Sequence, residues 1–424
     1  QIQVLPVPLV LEAADYRRVQ RGVEQRARAF KAFFEDVVLG EGRIYDEIPE
    51  LNADLVDMAF QGEGYSLTYL RSIWSKRDIS AYSIFYGPDL IRGADGKWYV
   101  LEDNFGNIGG TADMNAVNNL MRSTIGAVPN AVTHLEKTIE AFLNSHNLGA
   151  ADREVLAITY RDKPKGPVWT RPKDIEDERR FEVLKKMGFR NIVLADASKE
   201  EWEGHMKKQW KAVVNLAHPN FDDDYRMFRA YEADFFGNSE TPFFRAPGAS
   251  VVGSKFFSMY AARFIRFYLN QRPILKTPKA QVLNPNSVRR APEKWVVKSI
   301  DGQQGSSVKV LNRSTQPEID YVLTLGEDWQ SFYERNRGMV GFPKWIQQRY
   351  IEPSYIPAGV PDSWERFSVD IRPISLVFDG GVVTPSAPWG RSVSKTSSGL
   401  NNVSRGAFEL GVMVVNSCAG ELLY

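Results

Sequence analysis

The stretch that decides the fold is PDLIRGADGKWYVLEDN, residues 88–104. An Asp-Gly pair lies between two short runs of apolar and aromatic residues, which is a sequence signal for a β-hairpin. In such a hairpin Asp89 on the first strand can lie opposite Glu102 on the second, and Glu102 shares a strand face with Asn104. Two carboxylates and an amide oxygen are hard ligands that suit magnesium held against phosphate oxygens. The alternative is a solvated hairpin with scattered acids.

Composition narrows the class of protein. The chain has 424 residues, enough for two or three domains, and its 43% apolar and 25% charged residues are ordinary for a globular protein. The net charge of +1 gives no reason to expect nucleic acid or an anionic membrane as a partner. The single cysteine, Cys418, excludes an internal disulfide. Without a leader sequence or a long apolar run, we expect a cytoplasmic protein.

Histidine-based chemistry is not expected. The four histidines occur in no metal-binding spacing such as HxxxH or HExxH, so zinc hydrolysis and histidine triads are poor hypotheses. They are His134, His146, His205 and His218.

A glycine-rich loop follows the hairpin. Residues 105–110 (FGNIGG) lead into a predicted helix, with Thr111 as its expected N-cap. Free backbone N–H groups and the helix dipole make such a loop a natural site for a phosphate or a substrate carboxylate. An ordinary strand-to-helix turn is the alternative.

The N-terminal segment predicts one long helix. Apolar residues recur at helical spacing over residues 12–38, and arginines fill other positions. Within QRARA (25–29), which contains Arg26 and Arg28, an arginine points either to a phosphate or to solvent on an exposed helix face.

The middle of the chain predicts a separate α/β unit. Residues 150–270 alternate between strands and helices in the order βαβαβ, which implies a parallel sheet. The first strand is not followed by GxGxxG, so a dinucleotide fingerprint is absent. Residues 253–270 predict an aromatic core helix, and the proline-rich residues 273–292 predict a linker.

A lysine interrupts the next predicted strand. Lys298 lies within WVVKSI (295–300), and a lysine in a buried strand is rare unless it is paired. A glycine- and serine-containing loop separates this strand from a second one at 308–311, which differs from a phosphate loop that opens a helix. The pattern suits a hairpin whose loop covers phosphates while Lys298 neutralises them. A plain hairpin with a snorkelling lysine is the alternative.

Two further strands carry polar residues. Residues 345–352 (WIQQRYIE) leave a strand for a loop whose backbone suits an adenine and whose Glu352 suits a ribose. In RFSVDIRP (366–373) alternate polar residues share one face, so that face is either solvent-exposed or lines a site. Trp389-Gly390-Arg391 follows.

These elements, in this order, resemble the circularly permuted ATP-grasp ligases, including the glutathionylspermidine-synthase-like and type 2 groups. The resemblance covers nearly the whole chain and rests on QRARA (25–29), the hairpin with Glu102-Asp103-Asn104, Lys298 with its loop, Asp370-Ile371-Arg372-Pro373 and Gly390-Arg391. It implies an α/β fold with α+β lobes that grip ATP, beside a Rossmann-like parallel-sheet domain. The implied parts are a metal-binding part (1–149), the Rossmann-like domain (150–272) and a nucleotide-binding part (273–424).

The resemblance also implies an activity: an ATP- and Mg²⁺-dependent carboxylate–amine ligase that forms an amide through an acyl phosphate and releases ADP. Its partners would be small carboxylate and amine substrates, such as an amino acid or a short peptide. Residues 105–110 depart from the Ser-Gly turn usual after the metal ligands, so the substrate is not assigned. A magnesium-dependent small-molecule kinase, a carboxylate-pair hydrolase and a non-catalytic ATP-binding scaffold are the alternatives.

Carried over by position, the implied residues fall into three groups. The metal ligands are Asp89, Glu102 and Asn104, and the catalytic cations are Lys298, Arg372 and Arg391. The nucleotide-binding residues are Lys298, Gly302, Gln303, Gln304, Gly305, Ser306, Gln347, Gln348, Tyr350, Ile351 and Glu352.

Overall fold

The structure is a computed structural model of the chain. It describes residues 3–62, 65–76, 82–106, 108–125, 134–159, 175–194, 197–217, 236, 241–245, 247–300, 307–335, 342–360, 363–378, 381–395 and 406–416. The predicted phosphate-covering residues Gly302, Gln303, Gln304, Gly305 and Ser306 lie outside the described residues, as do Cys418 and His218.

The described α-helices are α1 (Ala13–Val38), α2 (Ile44–Glu47), α3 (Ala53–Gly62), α4 (Leu67–Trp74), α5 (Thr111–Ile125), α6 (His134–Ser145), α7 (Ile175–Lys186), α8 (Lys199–Met206), α9 (Lys255–Ser258), α10 (Ala261–Leu269), α11 (Pro285–Arg290) and α12 (Gln316–Arg335). Within the described part of the chain, none of them is long and apolar enough to cross a membrane.

The described strands are β1 (Leu9–Glu12), β2 (Tyr82–Tyr86), β3 (Asp89–Arg92), β4 (Trp98–Glu102), β5 (Val155–Thr159), β6 (Asn191–Leu194), β7 (Ala212–Asn215), β8 (Phe243–Phe244), β9 (Ala280–Val282), β10 (Trp295–Ser299), β11 (Val308–Val310), β12 (Trp345–Arg349), β13 (Tyr355–Val360), β14 (Ser363–Arg372), β15 (Ser375–Phe378), β16 (Gly381–Val383), β17 (Trp389–Ser394), β18 (Phe408–Leu410) and β19 (Val412–Val415).

The predicted hairpin forms one side of a six-stranded sheet. Its two strands, β3 and β4, are antiparallel, and the sheet runs in the order β18-β17-β14-β3-β4 with β13 paired to β14. Strand β14 therefore lies between the hairpin and β17. This places the polar face of β14 beside Asp89.

A four-stranded sheet, β11-β10-β12-β9, carries the predicted nucleotide hairpin. Strands β10 and β11 are antiparallel, with Lys298 opposite Val308. The linker expected at 273–292 is wrong, because this segment contains β9 and α11. Strand β9 is short and half-buried, and its hydrogen-bonding partner β12 lies far along the chain. Local patterning therefore does not reveal it.

A seven-stranded sheet contains the predicted βαβαβ unit and has the order β16-β15-β2-β8-β7-β5-β6. Strands β2, β8, β7, β5 and β6 are parallel, and β15 and β16 add antiparallel pairs at one edge. Strand β2 precedes residue 149 and β15 and β16 follow residue 273. The sheet thus draws strands from all three ranges named above.

Helix α1 forms the centre of the largest hydrophobic cluster, and its bounds agree with the predicted helix. It packs against α10, where the rings of Phe33 and Phe264 stack at 4.4 Å. The aromatic segment 253–270 contains two helices, α9 and α10, rather than one. Residues 9–12 also pair in parallel with 412–415, which joins the two ends of the described chain.

Candidate functional site

The hairpin brings two predicted metal ligands together. Asp89 is the cross-strand partner of Glu102, and a register shift follows between Asp89 and Leu90. Such a bulge re-aims side chains beside it. The side chains of Asp89 and Glu102 are 14% and 25% exposed, so both are largely shielded from solvent.

Two arginines hold Asp89. Arg372 donates from Nε at 2.6 Å and from Nη2 at 2.9 Å, and Arg391 lies 2.8 Å away. Burial by itself would raise the pKa of Asp89, but the two guanidinium groups outweigh burial and hold that pKa well below its ordinary value. Both predicted catalytic arginines therefore meet a predicted metal ligand.

Arg391 also binds a second carboxylate. Its Nε and Nη2 donate to Asp370 at 2.8 and 2.7 Å, on the neighbouring strand β14. Burial raises the pKa of Asp370 to about 6; Arg391 opposes this rise and the nearby Asp89 adds to it. Asp370 thus shares one guanidinium with Asp89.

Glu102 is paired with a lysine that sequence reasoning missed. Lys255 Nζ, at the start of α9, lies 3.1 Å from Glu102 Oε1, and the lysine side chain is 9% exposed. A sequence signal was available, because Lys255 stands directly before two core phenylalanines, and a lysine in such a run is rare unless it is paired. The same argument had identified Lys298.

Lys298 reaches the hairpin from the four-stranded sheet. It is buried, and its Nζ donates to the carbonyl of Leu101 at 2.9 Å, one residue before Glu102. Burial lowers the pKa of Lys298, and the negative charge of Glu102 opposes that shift while Lys255 reinforces it. Two lysines from different elements therefore flank Glu102.

Asn104 is anchored by its amide nitrogen. Its Nδ2 donates to the carbonyl of Gly87 at 3.0 Å, and the amide of Gly87 donates back to the carbonyl of Asn104 at 2.8 Å. The side-chain oxygen of Asn104 remains as the acceptor of that carboxamide. This oxygen is the atom that would ligate a cation.

The residue between the two ligands faces the opposite way. Asp103 is fully buried and accepts hydrogen bonds from Arg26 Nε at 2.5 Å, Arg26 Nη2 at 2.7 Å and the Tyr86 hydroxyl at 2.7 Å. Burial, and secondarily the Asp103 carboxylate, raises the pKa of Tyr86 well above its ordinary value, so the phenol keeps its proton. Of the two arginines in this run, Arg28 lies on the exposed face, whereas Arg26 is buried and paired with Asp103.

The glycine-rich loop packs against the arginines. Arg372 Nη1 donates to the carbonyl of Gly109 at 3.2 Å, and the ring of Trp389 lies under the guanidinium groups of Arg372 and Arg391. Thr111 is the first residue of α5, and its hydroxyl donates to the carbonyl of Ile108. A cap role for Thr111 stays a prediction.

The predicted adenine segment links the four-stranded sheet to the six-stranded sheet. Gln347 is buried in β12, where its side chain accepts from the Asn284 amide and donates to Ser287 Oγ. Gln348 Nε2 donates to the Leu101 carbonyl at 3.2 Å, beside Lys298.

After β12 the chain crosses toward the hairpin. The Glu352 carboxylate accepts the hydroxyl groups of Tyr350 and Tyr355 at 3.0 and 2.9 Å, and the Glu352 carbonyl accepts the amide of Ala94 in the hairpin turn. Ile351 lies against the same turn, because a Cβ added to Gly93 would meet its side chain at 3.3 Å. Nucleotide contacts for residues 347–352 stay a prediction.

The donor set fits magnesium. Asp89 and Glu102 are opposed carboxylates, and Asn104 adds a carboxamide oxygen two residues on. Among the described residues, no group of three or more His, Cys, Asp or Glu side chains gathers within reach of one metal ion. Mg²⁺ usually binds only a few protein oxygens, because phosphate oxygens and water complete its coordination shell. Two carboxylates and one carboxamide are a suitable set.

The chain is similar to a known protein family and to a solved structure. Residues 8–153 match the family described as circularly permuted ATP-grasp type 2. A glutathione synthetase-like effector from Globodera pallida, in its apo form, has a similar fold, with a TM-score of 0.56 over 98% of this chain and 90% of that chain at 10% identity.

Two curated relatives match most of the chain. One is an uncharacterised protein of Synechocystis, 23% identical over 93% of this chain and 81% of its own length. The other, from Frankia alni, is named "Putative glutamate–cysteine ligase 2-3" and is 25% identical over 93% of this chain. The chain spans only 45% of that Frankia relative.

The family match covers residues 8–153, which contain the β3–β4 hairpin but not Lys298. Residues 8–153 therefore resemble the circularly permuted ATP-grasp type 2 family, and the fold over 98% of the chain resembles that of the glutathione synthetase-like effector.

Proposed function

We propose that this chain is an ATP- and Mg²⁺-dependent carboxylate–amine ligase that releases ADP and acts on a small amino-acid-like or peptide substrate. The observation that carries the proposal is the contact of Lys298 with the Leu101 carbonyl. It brings a cation of the four-stranded sheet next to Glu102, where Lys255 also lies. The ligase name of the Frankia relative supports the same reaction class.

The reaction proceeds in two balanced steps. A carboxylate oxygen of the substrate attacks the γ-phosphorus, the bond from that phosphorus to the bridging oxygen breaks, and ADP leaves. The amine nitrogen then attacks the acyl carbon, the carbon–oxygen bond to phosphate breaks, the nitrogen gives up one proton to the departing phosphate, and inorganic phosphate leaves with the amide formed. Both steps need positioning and charge neutralisation more than a nucleophilic side chain.

The cluster of charges provides that neutralisation. Magnesium, when bound, screens the β- and γ-phosphate oxygens. Asp89 and Glu102, which pair with the two arginines and with Lys255, would hold the cation together with Asn104. The guanidinium groups of Arg372 and Arg391 would face the phosphoryl group and the acyl phosphate, with Arg391 still held by Asp370, and Lys255 and Lys298 would bind phosphate oxygens.

The segment after β12 is the proposed adenosine site. Gln347 is used within its own sheet, so we assign the base to Tyr350, Ile351 and the neighbouring backbone. Glu352, oriented by two tyrosine hydroxyls, accepts from the ribose. We further propose that residues 302–306 cover the phosphates, and that the enzyme acts in the cytoplasm, where its single cysteine stays reduced.

The direct test is ADP release from ATP and Mg²⁺ with a panel of amino acids and short peptides. Wild type should need both a carboxylate and an amine, and Glu102→Gln should lose at least about 100-fold in rate because a metal ligand is neutralised. Glu327→Gln is the matched control, since Glu327 is exposed on α12 and pairs with Arg289.

Two results would argue against the ligase. ADP release with one substrate alone would indicate a kinase. If calorimetry detected no ATP binding to wild type, the proposed nucleotide site would be wrong.

A further inference from the structure

A buried ion pair lies directly behind the metal ligands and takes no part in the proposed chemistry. Asp103 separates Glu102 from Asn104 in sequence, and its carboxylate is fully buried. Arg26, from the middle of α1, is 1% exposed and grips both oxygens of Asp103. The two residues belong to helix and hairpin segments that are 77 residues apart.

The guanidinium of Arg26 connects three parts of the chain. Its Nη1 donates to Thr277 Oγ1 at 2.8 Å, in the segment that leads to β9. Tyr86 of β2 supplies a further hydrogen bond to Asp103. A buried ion pair is often no more stabilising than well-packed apolar residues of the same volume, so stability alone is a weak reason for this one.

The backbone beside Asp103 is also held closely. A Cβ added to Gly253 would lie 2.8 Å from the Phe105 amide nitrogen and 3.2 Å from the Asp103 carbonyl oxygen, so residues 249–253 press against this segment. Asn104 is bonded to Gly87 through both backbone and side chain.

Successive side chains of an extended segment point to opposite faces, so the direction of Asp103 sets the directions of Glu102 and Asn104. We propose that Arg26 and Asp103 form a positioning pair that orients Glu102 and Asn104 toward the divalent cation. The inference rests on the proposed function. Substitution of a residue that orients a metal ligand typically lowers metal affinity by about 10–100-fold, and we expect an effect of that size here.

The test measures metal binding without turnover. Mn²⁺ is titrated by electron paramagnetic resonance into protein saturated with ADP, ADP binding without metal is measured by calorimetry, and thermal unfolding is followed without either. The variants are Arg26→Met, Arg26→Lys and the double variant Arg26→Met with Asp103→Asn. Arg28→Met and Arg28→Lys are matched controls, because Arg28 is exposed on the same helix.

Arg26→Met leaves a buried carboxylate without its cation, and it should lower the melting temperature as well as Mn²⁺ affinity. The double variant removes the uncompensated charge, so it should melt close to wild type and still bind Mn²⁺ about 10–100-fold more weakly. Arg26→Lys keeps the charge but cannot grip both oxygens, so its Mn²⁺ affinity should lie between wild type and Arg26→Met.

Two results would overturn the inference. The first is a double variant that binds Mn²⁺ as tightly as wild type, because the pair would then serve stability alone. The second is an Arg26→Lys variant whose Mn²⁺ affinity equals that of Arg28→Lys. Failure of wild type to bind ADP or Mn²⁺ would instead contradict the proposed function, so the two failures are distinguishable.

Discussion

Replacing Lys298 by methionine should weaken ATP binding without lowering the free energy of unfolding. Burial outweighs the attraction of Glu102 and lowers the pKa of Lys298, so the folded chain disfavours the ammonium relative to the unfolded chain. A lysine whose folded pKa is lowered costs stability at every pH where it is charged. Methionine fills a similar volume without that cost.

The Leu101 carbonyl would still accept a hydrogen bond after Lys298 is replaced. Gln348 Nε2 also donates to the Leu101 carbonyl at 3.2 Å, so the substitution does not leave a buried acceptor unsatisfied. We therefore expect the free energy of unfolding of Lys298→Met to equal or exceed that of wild type. ATP affinity should fall by about 10–150-fold, the equivalent of one hydrogen bond to a charged group at about 1.5–3 kcal/mol.

The assay is calorimetric titration with ATP and Mg²⁺, together with urea unfolding of the same samples. Lys309→Met is the matched control, since Lys309 lies on the other strand of the same hairpin and pairs with the partly exposed Glu318. The reasoning is refuted if Lys298→Met binds ATP as wild type does. It is also refuted if the variant loses stability by several kcal/mol, since a structural role would then explain any loss of binding.

Further predictions concern the neighbouring loop and strand. Gly110→Ala should destabilise the protein by about 1–3 kcal/mol, because Gly110 has φ +98° and an added Cβ would lie 2.3 Å from the Trp389 ring. Gly109→Ala, where the added Cβ meets nothing within 4 Å, is the control, and equal unfolding midpoints would contradict this explanation. Asp370 has its pKa raised to about 6, so between pH 4 and 6 the folded chain binds a proton that the unfolded chain has released, and stability falls as pH rises. Asp370→Asn should flatten that slope in urea unfolding measured from pH 4 to 6.5, and an unchanged slope would show that another group titrates.

Local sequence patterns were sufficient to predict part of the site. The Asp-Gly turn between apolar runs predicted the β3–β4 hairpin, and the structure pairs Asp89 with Glu102 as expected. The lysine in an apolar strand identified Lys298 as a paired residue, although its partner in the structure is the Leu101 carbonyl.

For other residues of the site, the sequence pattern was weak or was not used in the prediction. Arg26 lies three residues after Val23 and four before Phe30, on the apolar stripe of α1, so helical periodicity already places it on the buried face. Lys255 precedes two core phenylalanines. Strand β9 offered no usable pattern, because three half-buried residues between prolines resemble a linker.

The sequence by itself determined the local elements, because turn chemistry, side-chain periodicity and capping act within a few residues. The tertiary structure alone decided which charges meet. Arg26 and Asp103 are 77 residues apart, Lys298 and Leu101 are 197 apart, and Arg372 and Asp89 are 283 apart. Hydrogen bonds and ion pairs depend on distances of about 3 Å, and those distances are set only when the sheets have assembled and packed against α1.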